Sequence, residues 1–456
     1  MKIIILGAGQ VGVSLLASLS SEKNDIVMVD MRGDLLDTLQ DRFDIRTVQG
    51  NAAHPTVLQH AGAHEADLLI AATSDDETNM LACQMADLLF KVPKKIARVR
   101  AIEYFMFPGL FSPETIPIDY VISPEQIITQ FIQRLLEYPG ANQVHDFAEG
   151  KVRMASVKAL RGGLIVGREV RELQQHIPNF HVRIAAIFRN GQPIVPNGNT
   201  IINHDDEVFF LASSEEIKGV MAELRKTERP YKKLIFAGGG HLGKRVALAL
   251  EHDYQVKVIE RNPLRAKKIA GQLDKATVLV GDASDKELLL SENVDSVDVF
   301  CAITNNDEVN ILSAMLAKRL GARRAICLVN NDAYSDIVDT SHVDLVISPQ
   351  QATISALLRY IRRGDIAQVH SLRHGSSEAI EVIAHGSAED SKVIGVPLKE
   401  IEMPEGVVMG ALVRDDEVLH IHHDTVIEDG DHVIMFVLDK KLIPAVERLF
   451  QSGFSN

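Results

Sequence analysis

Short apolar runs alternate along the first third of the chain with longer stretches whose apolar positions recur every three to four residues. Ile3-Ile4-Ile5-Leu6 reads as a buried strand and Val13 to Leu19 as a helix. Ile26 to Val29, Ile45 to Val48, Leu68 to Ala72, Ile96 to Val99 and Tyr120 to Ile122 follow as strands. Helices are predicted over Leu35 to Phe43, Pro55 to Ala61, Asp75 to Phe90 and Pro124 to Glu137. Tyr104 to Ile116 carries Pro108 and Pro113 and predicts loop or short helix. This alternation predicts a doubly wound parallel sheet. After Tyr138-Pro139-Gly140 the period shortens. Val152 to Val157, Val182 to Phe188 and Glu207 to Ala212 read as strands, with an Asn190-Gly191 hairpin turn and a closing helix over Glu215 to Leu224. That is a small α+β lobe.

The pattern then repeats. Gly7 and Gly238 lie 238 − 7 = 231 positions apart, and the same offset carries Gly50 to Gly281, Thr73 to Thr304 and Asn79 to Asn310. Ile122-Ser123-Pro124 recurs as Ile347-Ser348-Pro349, Gln143-Val144-His145 as Gln368-Val369-His370, and Asp206-Glu207-Val208 as Asp431-His432-Val433. The chain therefore reads as a tandem duplication of a Rossmann-like doubly wound lobe and a small α+β C-terminal lobe, with bounds at 1–137, 140–225, 232–362 and 367–453. Arg225 to Lys233, charged and holding Pro230, is the expected linker. The apolar spacing of Ile127, Ile128, Phe131 and Leu135, matched by Ile354, Leu357, Leu358 and Ile361, predicts pairing through these crossover helices.

Candidate chemistry sits at the first turn of each copy. Gly7-Ala8-Gly9-Gln10-Val11-Gly12 joins strand to helix in the G-x-G-x-x-G pattern of a dinucleotide turn. The first glycine permits the turn, the second lets a pyrophosphate approach the backbone, and the third lets the helix pack on the strand. Free N–H groups at the helix start face the phosphates. The next strand ends in Asp30, an acid suited to ribose hydroxyls and opposed to a 2′-phosphate. The second copy offers Gly238, Gly239, Gly240, His241 and Leu242, with Glu260 as the acid. Thr73 and Ser74 end the fourth strand at the crevice, as Thr304 does in the second copy. Ser74 is also a candidate N-cap for the segment starting at Asp75. Asp282, and more weakly Asn51, close the third strands near an expected adenine, with Arg32 and Arg261 either stacking there or solvated.

The chain has 456 residues, 46% hydrophobic and 24% charged, with a net charge of −14. That balance argues against nucleic acid and against direct attraction to anionic lipid. Cys83, Cys301 and Cys327 form no C-x-x-C pair and read as buried free thiols of a reducing compartment. The first strand begins at Lys2, so no signal peptide is expected, and no apolar stretch is long enough to span a bilayer. A cytoplasmic protein is the expectation. His420, His422, His423 and Asp424 are either a metal site or a solvated edge, and His145 and His370 a hinge contact.

The glycine turns with their acids, the strand end Ala72-Thr73-Ser74-Asp75-Asp76-Glu77, the crossover Ile122-Ser123-Pro124-Glu125-Gln126 and the two small lobes together resemble the RCK (or KTN) regulatory domains of potassium transport systems. The tandem arrangement is similar to the regulatory subunits of Trk-type uptake. The resemblance implies a non-enzymatic protein that binds NAD or NADH, with ATP or ADP as further ligands. It implies a homo-oligomeric ring of such domains, peripheral to the inner face of the cell membrane through a TrkH- or TrkG-type potassium channel subunit. It also places an arginine beside the nucleotide, matching Arg98. Alignment of Lys94–Arg100 with Arg323–Val329 sets Arg98 against Cys327 and predicts unequal sites, the first binding dinucleotide more tightly. An NAD-dependent oxidoreductase and a scaffold without ligand are the competing classes.

Overall fold

The structure is a computed structural model. It describes residues 1–20, 24–176, 182–224, 229–331, 333–334, 338, 342–361, 365–372, 376–419 and 421–451. Residues 225–228 of the expected linker, and His420, lie outside these. The chain divides into two compact units, 1–128 with 349–357 and 129–348 with 358–456.

The first unit is built on a parallel sheet. Its elements are β1 (Lys2–Leu6), α1 (Gln10–Leu19), β2 (Asp25–Asp30), α2 (Gly33–Arg42), β3 (Arg46–Gln49), α3 (Pro55–His60), β4 (Leu68–Ala71), α4 (Asp76–Phe90), β5 (Lys94–Arg98), α5 (Ile102–Phe105), β6 (Tyr120–Ile122) and the start of α6 (Pro124–Glu137). The strand order is β3-β2-β1-β4-β5-β6. β1 after Lys2 and the whole of β4 are apolar because helices cover both faces of a parallel sheet, and Ile3, Ile5, Leu6, Leu68, Leu69 and Ile70 are fully buried. The order reverses between β1 and β4, which opens a crevice at their carboxyl ends. Residues 349–357 of the second crossover helix also belong to this unit, and Gln350 Oε1 accepts a 2.8 Å hydrogen bond from Ser14 Oγ on α1.

The second unit opens with a small antiparallel lobe: β7 (Ala141–Phe147), β8 (Val152–Lys158), α7 (Leu173–His176), β9 (Arg183–Arg189), β10 (Gln192–Ile194), β11 (Glu207–Ser213) and α8 (Ile217–Leu224). Strand β7 was not anticipated, because its polar positions at Asn142, Gln143, His145 and Asp146 hide the alternation. The second nucleotide-type lobe follows as β12 (Lys233–Ala237), α9 (His241–Leu250), β13 (Gln255–Glu260), α10 (Pro263–Ala270), β14 (Thr277–Val280), α11 (Lys286–Ser291), β15 (Val299–Ala302), α12 (Asp307–Arg319), β16 (Arg324–Leu328) and β17 (Leu345–Ile347). Its order, β14-β13-β12-β15-β16-β17, reproduces the first sheet. The last lobe contains β18 (Ile366–Leu372), β19 (Ser377–Ile383), β20 (Val407–Arg414), β21 (Glu417–Leu419) and β22 (His432–Val437). Its order, β18-β19-β22-β20-β21, matches β7-β8-β11-β9-β10 strand for strand. Even the register irregularities at 141/143 and 366/368 coincide.

The two small lobes share one core. Phe147, Phe209, Leu211, Ile434 and Phe436 pack in a single cluster, with the Phe209 and Phe436 rings 5.5 Å apart. Gly410 has no room for a side chain, since a Cβ there would lie 2.3 Å from Leu211 Cδ1. Each lobe carries the same buried clamp. Arg189 grips Asp206 through Nε and Nη2 at 2.9 and 2.8 Å, and Arg414 grips Asp431 at 2.8 and 2.8 Å.

Candidate functional site

The three glycines of the first turn meet different surroundings. Gly7 has φ +100° and its N–H bonds Val29 O at 2.7 Å, which turns the chain out of β1. A Cβ at Gly7 would lie 2.8 Å from Thr73 Cα, and one at Gly12 only 1.9 Å from Gly7 O. A Cβ at Gly9 would meet nothing within 4 Å. Two glycines therefore exist for close packing, and the middle one borders open space. Gly9 is the N-cap of α1 with no side-chain cap, and the first backbone bond of the helix runs from Val13 N to Gly9 O. The N–H groups of exposed Gln10, of Val11 and of Gly12 precede that bond and form the positive end of the helix. In the second copy Gly238 has φ +117°, a Cβ at Gly243 would lie 1.8 Å from Gly238 O, and a Cβ at Gly240 would again meet nothing within 4 Å. His241 is exposed and Leu242 part-buried at the start of α9.

Both acids brace the turn. Asp30 Oδ2 accepts from Ala8 N at 2.7 Å, and its Oδ1 accepts from Arg32 N and Nε at 2.9 and 3.1 Å. Burial alone would raise the Asp30 pKa, but the hydrogen bonds from Arg32 and Ala8 hold it below the ordinary carboxylate value. Glu260 Oε2 accepts from Gly239 N at 3.1 Å, and Oε1 from Asn262 N at 2.7 Å. The longer acid fits because position 239 lacks the Cβ that Ala8 carries. A Cβ there would lie 2.9 Å from Glu260 Cβ. Arg32 thus turns onto Asp30 rather than standing free beside it.

Thr73 faces the first turn and is held by a residue that the sequence reading used only as a repeat marker. Asn79, fully buried on α4, accepts from Thr73 N at 2.9 Å and Thr73 Oγ1 at 2.7 Å, and donates to Arg98 O at 2.9 Å. Asn310 repeats each bond with Thr304 and Leu328. The recurrence of an asparagine at one offset was the available signal. Ser74 is exposed and is not the cap of α4. Asp75 is, accepting from Thr78 N at 2.8 Å, because Asp75 is the residue preceding the first helical turn. Asp282 is exposed and accepts from Ser284 N and Oγ in a local turn, as Asn51 does from Ala53 N.

The expected alignment of Arg98 is off by one position. Ala71 pairs with Ala97 and Ala302 with Cys327, so Cys327 matches Ala97, and Arg98 matches Leu328. The cation is absent from the second copy all the same. Arg98 is half-buried at the end of β5, and its Nε is buried with no hydrogen-bond partner among the described residues. Burial first, and Arg100 second, lower its pKa. A buried donor left unpaired costs about 1–3 kcal/mol.

The remaining candidates lie elsewhere. His145 and His370 stack with centroids 4.2 Å apart, and Phe147 meets the His370 ring edge-on. His422 and His423 border a cleft between the small lobes with Arg183 and Lys399. The three cysteines are buried. Burial pushes the Cys83 and Cys301 thiols up, and Cys327 up to about 12. Among the described residues no helix is long and apolar enough to cross a membrane.

Two doubly wound lobes, each with an uncapped glycine turn and a paired acid and each followed by a small antiparallel lobe, define a tandem RCK-type protein. Solved structures with this fold include the GsuK RCK domain (16% identity, TM-score 0.61, covering 98% of this chain and 94% of that one). The GsuK channel bound to NAD shares it too (17% identity, TM-score 0.61, 98% and 79%). The TrkA-N domain model matches residues 3–124 and 234–349, and the TrkA-C domain model 154–225 and 388–451. The chain belongs to the TrkA family of Trk system potassium uptake proteins. It is 52% identical over 455 residues to that of Halomonas elongata, with full coverage of both. It is 52% identical over 452 residues to that of Vibrio alginolyticus, covering 99% of each, and 30% identical to the Archaeoglobus fulgidus homolog, covering 99% and 100%.

Proposed function

We propose that this chain is a cytoplasmic, non-enzymatic regulatory subunit of a Trk-type potassium uptake system that senses NAD or NADH in its two glycine-rich crevices. ADP or ATP would compete there, and GsuK structures are described with NAD and with ADP. The observation that carries the reading is the pairing, in both copies, of an open middle glycine with an uncapped helix start. In the first site Gly7, Ala8, Gly9, Gln10 and Val11 would line the pyrophosphate, Asp30 the ribose, Thr73 and Ser74 the strand end, and Arg98 a phosphate. In the second, Gly238, Gly239, Gly240, His241, Leu242, Glu260, Thr304 and Asp282 take these roles. A bound dinucleotide would supply negative charge; the chain supplies N–H donors and a shaped edge. The lobes would be bounded at 1–137, 140–225, 232–362 and 367–453.

Regulation needs no proton transfer, only a ligand whose affinity differs between two arrangements of the lobes. Each tenfold difference shifts the equilibrium by about 1.4 kcal/mol. Several copies in a ring beneath a TrkH- or TrkG-type channel subunit would convert that shift into pore opening. The test is purification from solubilised membranes, with the retained nucleotide identified by mass and the partner by sequencing. Recovery of a potassium channel subunit with a dinucleotide supports the reading. Recovery of neither, with turnover of NADH on a hydroxy acid, would replace it with the oxidoreductase.

A further inference from the structure

Three metal-type donors converge at the end of α9 remote from the glycine turn. Glu251 is the C-cap of that helix, His252 follows it, and Asp274 lies in the connection from α10 to β14. One ligand atom from each lies within 4.8 Å of the other two. Glu251 is 2% exposed, whereas His252 and Asp274 are exposed. Glu251 Oε2 accepts from Lys275 N at 2.8 Å and Ala276 N at 2.9 Å, which fixes the carboxylate in place. Burial alone would raise its pKa, but these backbone bonds keep the group ionised. A buried anion at the C-terminal end of a helix faces the negative end of the helix dipole. Buried charges are ordinarily paired or bound to metal. Among the described residues none of the three forms an ion pair with lysine or arginine.

We propose that Glu251, His252 and Asp274 bind a divalent transition-metal ion, with zinc the best fit to one imidazole and two carboxylates. Three protein ligands with a fourth position left to water is a known zinc geometry. Imidazole selects against magnesium and calcium, which take oxygen. Donors at about 2.0–2.2 Å from zinc stand roughly 3.3 Å from one another in a tetrahedron. The two exposed side chains close the remaining gap by rotamer changes, while Glu251 stays anchored. The site belongs to one copy only: Ser20, the C-cap of α1, takes the place of Glu251 in the first lobe. The ion would tie the end of α9 to the entry of β14. Helix α9 has 10 residues, and its other end, about 15 Å away, begins at the glycine turn. The proposal stands apart from the nucleotide reading.

The test is titration of the chelator-stripped full-length chain with zinc chloride, by calorimetry and by thermal denaturation. The His252→Ala and Asp274→Asn chains are compared with a His422→Ala/His423→Ala chain that removes the other histidine cluster. One zinc per chain and a raised Tm are expected in the wild type and in the double-histidine variant, both lost in His252→Ala and Asp274→Asn. All the substituted side chains are exposed, so their folds should persist, and unchanged circular dichroism checks this. No zinc effect on the wild type overturns the proposal. So does a full effect in His252→Ala, or loss of the effect only in the His422→Ala/His423→Ala chain.

Discussion

Gly239→Ala probes whether each acid and its glycine turn work as one fitted part. The new Cβ would lie 2.8 Å from Ile269 Cδ1, 2.9 Å from Glu260 Cβ and 3.0 Å from Glu260 Oε2, all well inside van der Waals contact. Ile269 and Glu260 are buried, so neither yields freely. Overpacking of this kind costs about 1–3 kcal/mol. The first copy already shows the remedy, because Ala8 sits beside an acid one methylene shorter, with a 2.7 Å bond from Ala8 N to Asp30. Gly239→Ala should therefore destabilise by about 2 kcal/mol. Glu260→Asp alone should also destabilise, by leaving the buried Gly239 N–H poorly paired. The double variant should recover at least about 1 kcal/mol relative to the sum. At about 2–4 °C per kcal/mol for a cooperative unit of this size, Gly239→Ala should lower the apparent Tm of its lobe by roughly 4–8 °C. Thermal denaturation of the full chain by circular dichroism reads this out. Strictly additive losses in the double variant would refute the complementarity.

Other expectations follow from single contacts. Arg98→Ala removes the half-buried guanidinium whose Nε has no partner among the described residues and should weaken dinucleotide binding at the first site by about one to two decades, the worth of a charged hydrogen bond. Calorimetry in a chain whose second site is blocked would read it, and unchanged affinity would place Arg98 outside the site. Asp431→Ala leaves Arg414 without its bidentate partner and removes the acceptor of Glu428 N. A loss of about 3 kcal/mol in urea unfolding is expected, and a loss below about 1 kcal/mol would contradict the clamp. Burial, and then His370, hold the His145 pKa well below 6.5. The neutral form is thus the folded one, and its stabilising contribution is present above the unfolded pKa. Stability should fall as pH drops from about 6.5 toward the folded pKa, by at most about 1.4 kcal/mol per pH unit. His145→Phe should remove that share of the slope, and an unchanged slope would refute it.

Much of this architecture was legible because parallel strands buried on both faces leave unbroken apolar runs. Ile3 to Leu6 and Leu68 to Ala71 are such runs, and the glycine turn sits where their sheet reverses order. The duplication exposed pairs such as Thr73 and Thr304. The sequence did not reveal what depends on register and side-chain direction. Arg98 was matched to Cys327 at an offset of 327 − 98 = 229, because nothing in the sequence of this strand marks its register, whereas strand pairing sets Ala97 against Cys327 at 327 − 97 = 230. Strand β7 was missed because its polar side chains meet partners, Asp146 with Arg153 and His145 with His370, rather than solvent. Asn79 and Asn310 looked like ordinary helix residues. Their role appears only when β4, β5 and α4 converge.

The nucleotide crevices are tested most directly through their open glycines. Gly9 has φ −75° and Gly240 φ −71°, both accessible to L residues, and a Cβ at either would meet no atom within 4 Å. Gly9→Val/Gly240→Val should therefore fold normally while filling the space a pyrophosphate needs. Calorimetric titration of the wild-type chain with NADH and NADPH should show saturable NADH binding without NADH consumption, and NADPH binding at least about tenfold weaker because Asp30 and Glu260 oppose a 2′-phosphate. The double variant should lose NADH binding with its Tm unchanged. Undiminished NADH binding in that variant, or equal affinity for NADH and NADPH in the wild type, would contradict the account.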